Sequence, residues 1–446
     1  MNKTAIPTYI VNLESRPDRK AHILQEFAGR DEFALSIVAP LPAVNGAVSL
    51  WNTIKHILQN LVSEDADHII LCEDDHLFTG AYDPEELRYL IAEAAAMQAD
   101  VLSGGVSWLT SCLQVSENMC WMEKFSGLQF TVLFRKFFPV ILNAVFDNGD
   151  AADYKISSLT GNKYFIYPFI STQKDFGYSD VTSKNNDERR VEELFKTTAE
   201  NIQILQNVAR YYDKRKQTID QRIPAASLEN LTLSTYVISL PERTERRSHI
   251  QQQFAQREEF DVTIVDAIRH EKGNLGLWQG IRNIIQLAMD NDDDVIIICE
   301  DDHQFTPAYS KEMFLETIIK AHELGVEMLC GGIGGFGTTI PVMEHTWWVN
   351  SFMCTQFMVL YRSLFPRILS EPYDEDIVVE DLYSSITSNK LTFFPFISVQ
   401  KNFGGGDIAP VPGRLVCPVS QLFEQTEKRF LNIQSSMPQQ ALTTYH

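Results

Sequence analysis

One stretch of this chain occurs twice, and both copies sit in the same context. Residues 69–79 read IILCEDDHLFT and residues 296–306 read IIICEDDHQFT. Glu300 lies 227 positions after Glu73, and that offset holds along nearly the whole chain. YIVNLESRPDRKAHILQEF from Tyr9 corresponds to YVISLPERTERRSHIQQQF from Tyr236. Trp51 corresponds to Trp278, Gly104-Gly105 to Gly331-Gly332, and YPFISTQKDFG to FPFISVQKNFG. A period of this length is far beyond the 20 to 50 residues of a solenoid repeat. It describes a duplicated domain, with each copy long enough to bury its own core. The expected boundaries are residues 1–222 and 223–446, with 213–234 read as the linker between them.

Each copy reads as an α/β domain with a central, mostly parallel sheet. A short apolar run closed by acids suggests a strand buried on both faces. Ligands of open α/β sheets bind at the carboxyl ends of such strands. Glu73-Asp74-Asp75 and Glu300-Asp301-Asp302 would stand there. Three adjacent carboxylates repel one another unless a positive charge sits among them. The usual partner is a hard divalent cation, Mg2+ or Mn2+, often carrying a substrate diphosphate. His76 and His303 follow the acids directly and are candidate ligands or proton shuttles, against a plain ion-paired role.

Arg16 and Arg19, with Arg243 and Arg246, fall where the first strand of each copy gives way to a helix. Such junctions present free N–H groups and suit phosphate, and arginine adds bidentate contacts. Pairing with Asp18 or Glu245 is the structural alternative. Trp51 and Trp278 read as packing anchors. The paired glycines allow a ligand or another backbone to approach closely. The stretch leading to Trp121 and Trp348 is the least alike between the copies, which is where a duplicated scaffold would read different substrates. A late acidic segment holds Asp147 and Asp374, then Asp153 and Glu380, with Asp381 opposite Tyr154. One of these acids could serve as general base for a substrate hydroxyl; helix N-terminal acids that favour the dipole are the alternative.

The formal net charge is −21, which argues against a dominant electrostatic grip on nucleic acid or anionic lipid. The longest apolar runs fall short of the 18 residues of a transmembrane helix, and the first residues lack a secretory apolar core. The seven cysteines follow no closely spaced metal pattern, and Cys72 and Cys299 fall inside buried strands. A cytoplasmic compartment is expected, with a peripheral position at the inner membrane face as a variant of it.

An INL-type opening strand followed by R-x-D-R, an apolar strand ending in E-D-D, a Q-F strand with a following Arg, and a late acid together resemble glycosyltransferase family 25. This family holds bacterial lipooligosaccharide sugar transferases and collagen galactosyltransferases. The resemblance runs through both copies nearly end to end. It implies a GT-A, Rossmann-like fold, a nucleotide-sugar donor, a glycan acceptor, a divalent cation and inversion at the anomeric carbon. By position it makes Asp75 and Asp302 the principal metal ligands. Arg16, Arg19, Arg243, Arg246, Glu73, Asp74, Glu300 and Asp301 are then placed around the donor. The second copy keeps GNLG before Trp278, where the first has GAVS. The first copy keeps Gly177 to Asp180 in the family's usual form, where the second has GGGD. A serine-histidine pair usual before the acidic strand is absent from both. The run VVEDLYSS resembles the family's late acid motif more closely than AADYKISS. The second copy is therefore expected to be the better catalyst, with Glu380 or Asp381 as base and Asp153 a weaker counterpart. The alternatives are one catalytic copy beside a sugar-binding or structural one, or an acceptor that is a protein or a modified nucleic-acid base.

Overall fold

The computed structural model describes residues 5–177, 189–219, 223, 228–372, 378–404 and 418–437. The chain forms two compact units; the boundary after the first sheet falls between Asn207 and Val208, and the second unit runs to Ser435, with Ser436 counted again in the first. The division falls inside the helix Arg190–Lys216, ahead of the segment read as a linker. Residues 213–216 finish that helix instead, because its apolar stripe continues through Ile202, Leu205 and Tyr212, all buried. The basic last turn, Lys214 to Lys216, suits the negative end of the helix dipole.

The first unit contains β1 (Ile6–Val11), β2 (Phe33–Val38), β3 (His68–Glu73), β4 (His76–Phe78), β5 (Val101–Ser103) and β6 (Trp108–Leu109). These are followed by β7 (Cys112–Gln114), β8 (Met119–Met122), β9 (Phe125–Ser126), β10 (Phe130–Phe134), β11 (Lys163–Ile166) and β12 (Ser171–Gln173). Eight of them form one sheet in the order β2-β1-β3-β10-β5-β11-β8-β7. β2, β1 and β3 are parallel, as are β5 and β11, while β10 runs antiparallel between the two groups. The expected α/β architecture is present, with a mixed sheet whose parallel part lies at the site. Ile69 to Cys72 are fully buried, as a strand covered on both faces requires.

The second unit repeats this arrangement strand for strand. It comprises β13 (Leu233–Ser239), β14 (Phe260–Asp266), β15 (Val295–Glu300), β16 (His303–Phe305), β17 (Met328–Cys330) and β18 (Gly335–Phe336). It continues with β19 (Thr339–Met343), β20 (Thr346–Val349), β21 (Phe352–Met353), β22 (Phe357–Tyr361), β23 (Lys390–Phe393) and β24 (Ser398–Gln400). The sheet order is β14-β13-β15-β22-β17-β23-β20-β19. Among the described residues no helix is long and apolar enough to cross a membrane.

Two local features answer questions the sequence left open. The paired glycines admit backbone: a Cβ on Gly105 would lie 2.0 Å from the Ser171 carbonyl oxygen, and one on Gly332 would lie 2.1 Å from that of Ser398. Trp51 stacks on Phe146 and Trp278 meets Tyr383 edge-on, both indoles buried. They are packing anchors.

Candidate active site

In the second unit, β13 and β15 run parallel with Ile238 opposite Glu300. Their carboxyl ends therefore coincide. The helix Thr244–Phe254 starts just past β13, which brings Arg243 and Arg246 to the acidic strand end. Arg246 Nη1 donates to Asp301 Oδ1 at 3.0 Å and to Asp302 Oδ2 at 3.4 Å. The Ser239 hydroxyl donates to Asp301 Oδ2 at 2.8 Å. Arg243 stands 4.0 Å from Asp301. Asp301 is thus held between β13 and the helix, and the sequence alternative of pairing with Glu245 gives way to pairing with the acidic motif itself.

Glu300 and Asp302 are less fully compensated. Burial, then repulsion from Asp302, pushes the Glu300 carboxyl up to about 8, while the Thr355 hydroxyl opposes the rise by donating to Oε1 at 2.6 Å. Burial pushes Asp302 up to about 6 against the pull of Arg246. Asp302 Oδ1 is buried with no hydrogen-bond partner among the described residues. Buried acids held this way are receptive to a cation.

These groups line a cavity of about 860 Å3. Its walls include Arg243 and Arg246, the loop residues Arg269, His270 and Glu271, and Cys354, Thr355 and Glu380. Gln400, Lys401 and Phe403 also line it. Two cations approach the Phe403 ring, the Arg246 guanidinium at 4.9 Å and the Lys401 ammonium at 4.7 Å from its centre. The Lys401 backbone N–H donates to the Asp302 carbonyl at 2.8 Å. Glu380 stands in the first turn of the helix Val379–Ile386, and its charge reaches Glu300. Asp381 is exposed and does not line the cavity.

The first unit keeps the framework and changes its surroundings. Arg19, 5% exposed, donates from Nη1 to Asp74 Oδ1 at 3.1 Å and to Asp75 Oδ2 at 3.4 Å. Asn12 takes the place of Ser239 and donates to Asp74 Oδ2 at 2.8 Å. Gln173 Nε2 reaches Glu73 at 3.3 Å and Asp75 at 3.4 Å. Arg16 is half-buried at the helix start. Burial raises Glu73 well above its usual range and Asp75 to about 6. Leu128 occupies the position of Thr355. Asp153 accepts the Gly127 N–H at 3.0 Å and the Tyr154 N–H at 2.8 Å. Opposite Arg269, His270 and Glu271 stand Pro42, Ala43 and Val44.

Both histidines leave the candidate list. His303 Nδ1 pairs with the Ser398 hydroxyl at 2.7 Å, and its ring packs among Phe254, Phe305 and Phe357. His76 does the same with Ser171 and Phe130. Burial lowers His76 to about 3 and His303 well below its ordinary value, so both rings are neutral core residues. Asp147 is exposed in a turn. Asp374, Asp180 and Asp407 lie outside the described residues. Thr355, Ser239, Gln400 and Phe403 were not singled out from the sequence; only the recurrence of QK-x-F in both copies points toward the last two.

Among the described residues no three His, Cys, Asp or Glu side chains are arranged to hold a metal by themselves. Mg2+, however, is commonly held by one or two carboxylates with waters and substrate phosphates completing the shell. Asp302, with its unpartnered buried oxygen, and Glu300 fit that mode.

Parallel strand ends that carry acids, with arginines beside them and a cavity in front, make the carboxyl edge of the second unit's sheet the candidate site of an α/β domain. Residues 232–279 match the family described as Glycosyltransferase family 25 (LPS biosynthesis protein). That stretch contains β13, Arg243, Arg246, the Arg269–Glu271 loop and Trp278. No curated protein matches the chain significantly. Among solved structures it is similar to a protein from STIV at 14% identity and a TM-score of 0.27, covering 38% of this chain and 86% of that one. It is also similar to UDP-glucose pyrophosphorylase without ligand and in complex with UDP-glucose. Both are 10% identical with a TM-score of 0.25, covering 36% of this chain and 72% and 73% of those chains. At these scores the structural likenesses support no conclusion about ligand or reaction.

Proposed function

We propose that the protein is a hexosyltransferase-type glycosyltransferase, that its second unit adopts a GT-A-like role, and that it moves a sugar from a nucleotide-sugar donor to a glycan hydroxyl. The observation that carries this reading is the convergence of Arg243, Arg246, Glu300, Asp302 and Glu380 on one cavity of about 860 Å3, within the size range of small-molecule sites.

In this reading Arg243 and Lys401 meet the donor diphosphate, while Arg246 holds the acids in place. Asp302, with Glu300, would hold Mg2+ or Mn2+, which when bound neutralises charge on the departing diphosphate. Phe403 offers a flat face beside the two cations. Glu380 accepts the proton of the acceptor hydroxyl as its oxygen bonds to the anomeric carbon and the bond from that carbon to the diphosphate oxygen breaks. A single displacement of this kind inverts the anomeric centre. The first unit supports the chain without equivalent chemistry: Asp153 is tied to backbone and Leu128 stands in place of Thr355.

The test is a screen of the full chain against nucleotide sugars with Mn2+, scoring release of nucleoside diphosphate. At least one donor should turn over, and Glu380→Gln should lower transfer about a hundredfold, the usual scale for a general base. Absence of turnover with every donor and glycan acceptor would refute the reading.

A further inference from the structure

Two exposed aromatic rings form a corner on the first unit. Trp108 is 38% exposed and Tyr154 52% exposed. Their centroids are 5.9 Å apart and their planes are tilted by 60°. The corner is firmly built. β6 pairs Trp108 with Ser126, and the Ser107 and Ser126 hydroxyls meet at 3.0 Å behind it. The Thr198 hydroxyl donates to the Ser107 carbonyl at 2.8 Å.

The corner adjoins the first unit's acidic strand end. Gly127 follows Ser126 directly and donates its N–H to Asp153, which also accepts the N–H of Tyr154. The charge of Asp153 in turn reaches Glu73. In the second unit the matching positions are Gly335 and Asp381, so both rings belong to the first unit alone. Trp108 also falls in the stretch where the copies differ most.

We propose that this corner binds a hexopyranose residue of a glycan, so that the first unit holds sugar rather than transferring it. A pyranose presents flat C–H faces and a rim of hydroxyls. Tilted rings can cover a face and an edge of such a body, and aromatic side chains bury 150–250 Å2 each when covered. Asp153, half-buried, fixes the backbone of Gly127 and Tyr154 beside the rings. An anionic ligand such as a nucleotide would be repelled by that carboxylate and by a net charge of −21, whereas a neutral sugar would not. A fixed corner loses little freedom on binding. The inference rests on the proposed function only in taking the ligand to be a glycan.

The experiment uses the full chain and three neutral disaccharide probes, lactose, maltose and cellobiose, without donor. Binding is read by saturation-transfer NMR and calorimetry. At least one probe should bind in the millimolar range. Trp108→Ala and Tyr154→Ala should each weaken it about tenfold or more, a loss of about 1.4 kcal/mol, while Trp108→Phe should largely retain it. No binding of any probe, or binding undiminished in both alanine variants, would overturn the inference. Because donor is absent, the result is independent of transfer: loss of turnover in Glu380→Gln speaks to the proposed function, and loss of disaccharide binding in Trp108→Ala speaks to this site.

Discussion

The Thr355 hydroxyl donates to Glu300 Oε1 at 2.6 Å, and the first unit has Leu128 at the same place. Glu300 is therefore oriented by a short hydroxyl contact, whereas Glu73 has only the longer amide contact from Gln173 at 3.3 Å. A hydrogen bond to a charged group contributes about 1.5–3 kcal/mol. Thr355→Val should lower kcat about tenfold or more with donor KM little changed, and Thr355→Ser should restore most of it. A kinetic comparison of the three proteins checks this; equal kcat in Thr355→Val would remove Thr355 from the site.

Arg246 and Arg19 bridge consecutive acids at nearly the same distances in the two units. Removing one partner of a buried pair leaves an uncompensated charge and costs about 3–5 kcal/mol. Arg246→Met and Arg19→Met should each destabilise by about that amount, read as a lowered urea midpoint. Arg19→Met should do so even though the first unit is assigned no transfer chemistry. A variant as stable as the wild type would contradict the structural role.

Glu380 lines the cavity and Asp381 is exposed beside it. Glu380→Gln should therefore lose transfer while binding donor normally, and Asp381→Asn and Asp153→Asn should lose far less. Transfer assays with acceptor in excess distinguish them. If Asp153→Asn is the inactive variant, the catalytic unit is the first.

The acidic end of β15 should respond to metal. Chelator should stop turnover and Mn2+ should restore it. In the absence of substrate, Mn2+ with a nucleoside diphosphate should raise the melting temperature of the wild type and not of Asp302→Asn. Full turnover in chelator would exclude the metal role and leave the transferase reading to the arginines.

Buried thiols make stability fall in alkaline solution. Burial pushes Cys120 and Cys330 up to about 12, from an ordinary value near 9. The folded state then keeps a proton that the unfolded state releases, so the stabilisation is complete below pH 9 and is lost as pH rises from 9 toward 12. By pH 10 the loss is about 1.4 kcal/mol per thiol. Urea melts at pH 8 and pH 10 should show a smaller drop for Cys120→Ala/Cys330→Ala than for the wild type; an equal drop would place the titration elsewhere.

The framework of each unit was legible because it is written locally. Apolar runs mark β3 and β15, and the offset of 227 aligns the two sheets. The acids and arginines were legible as types, since few other residues serve such ends. Their partners were not. Thr355 lies 55 residues from Glu300, and Ser239 lies 62 from Asp301; only the sheet brings them together. For the same reason neither alternative for His76 and His303, ligand or ion-paired residue, describes their place in the fold. Adjacency to acids in sequence suggested a ligand, but the chain turns after Glu73 and Glu300, and the ring ends up among phenylalanines. The charged loop Arg269–Glu271 became informative only once it was seen to face the cavity.

Gly276 sits so close to the loop that a Cβ there would lie 2.2 Å from the Ile268 carbonyl oxygen. The first unit solves the same junction differently, with the Ser49 hydroxyl donating to the Leu41 carbonyl at 2.6 Å. In both, the helix meets the loop at one carbonyl, that of Ile268 or Leu41, and in the second unit the His270 ring adds to the junction by accepting the Lys272 N–H at 3.0 Å. Selection can therefore rewrite what the loop displays, from Pro42-Ala43-Val44 to Arg269-His270-Glu271, while the mooring stays put. Saturation mutagenesis should find Gly276 intolerant, and Arg269 and Glu271 permissive for folding, so that this edge can change what it displays without changing the fold.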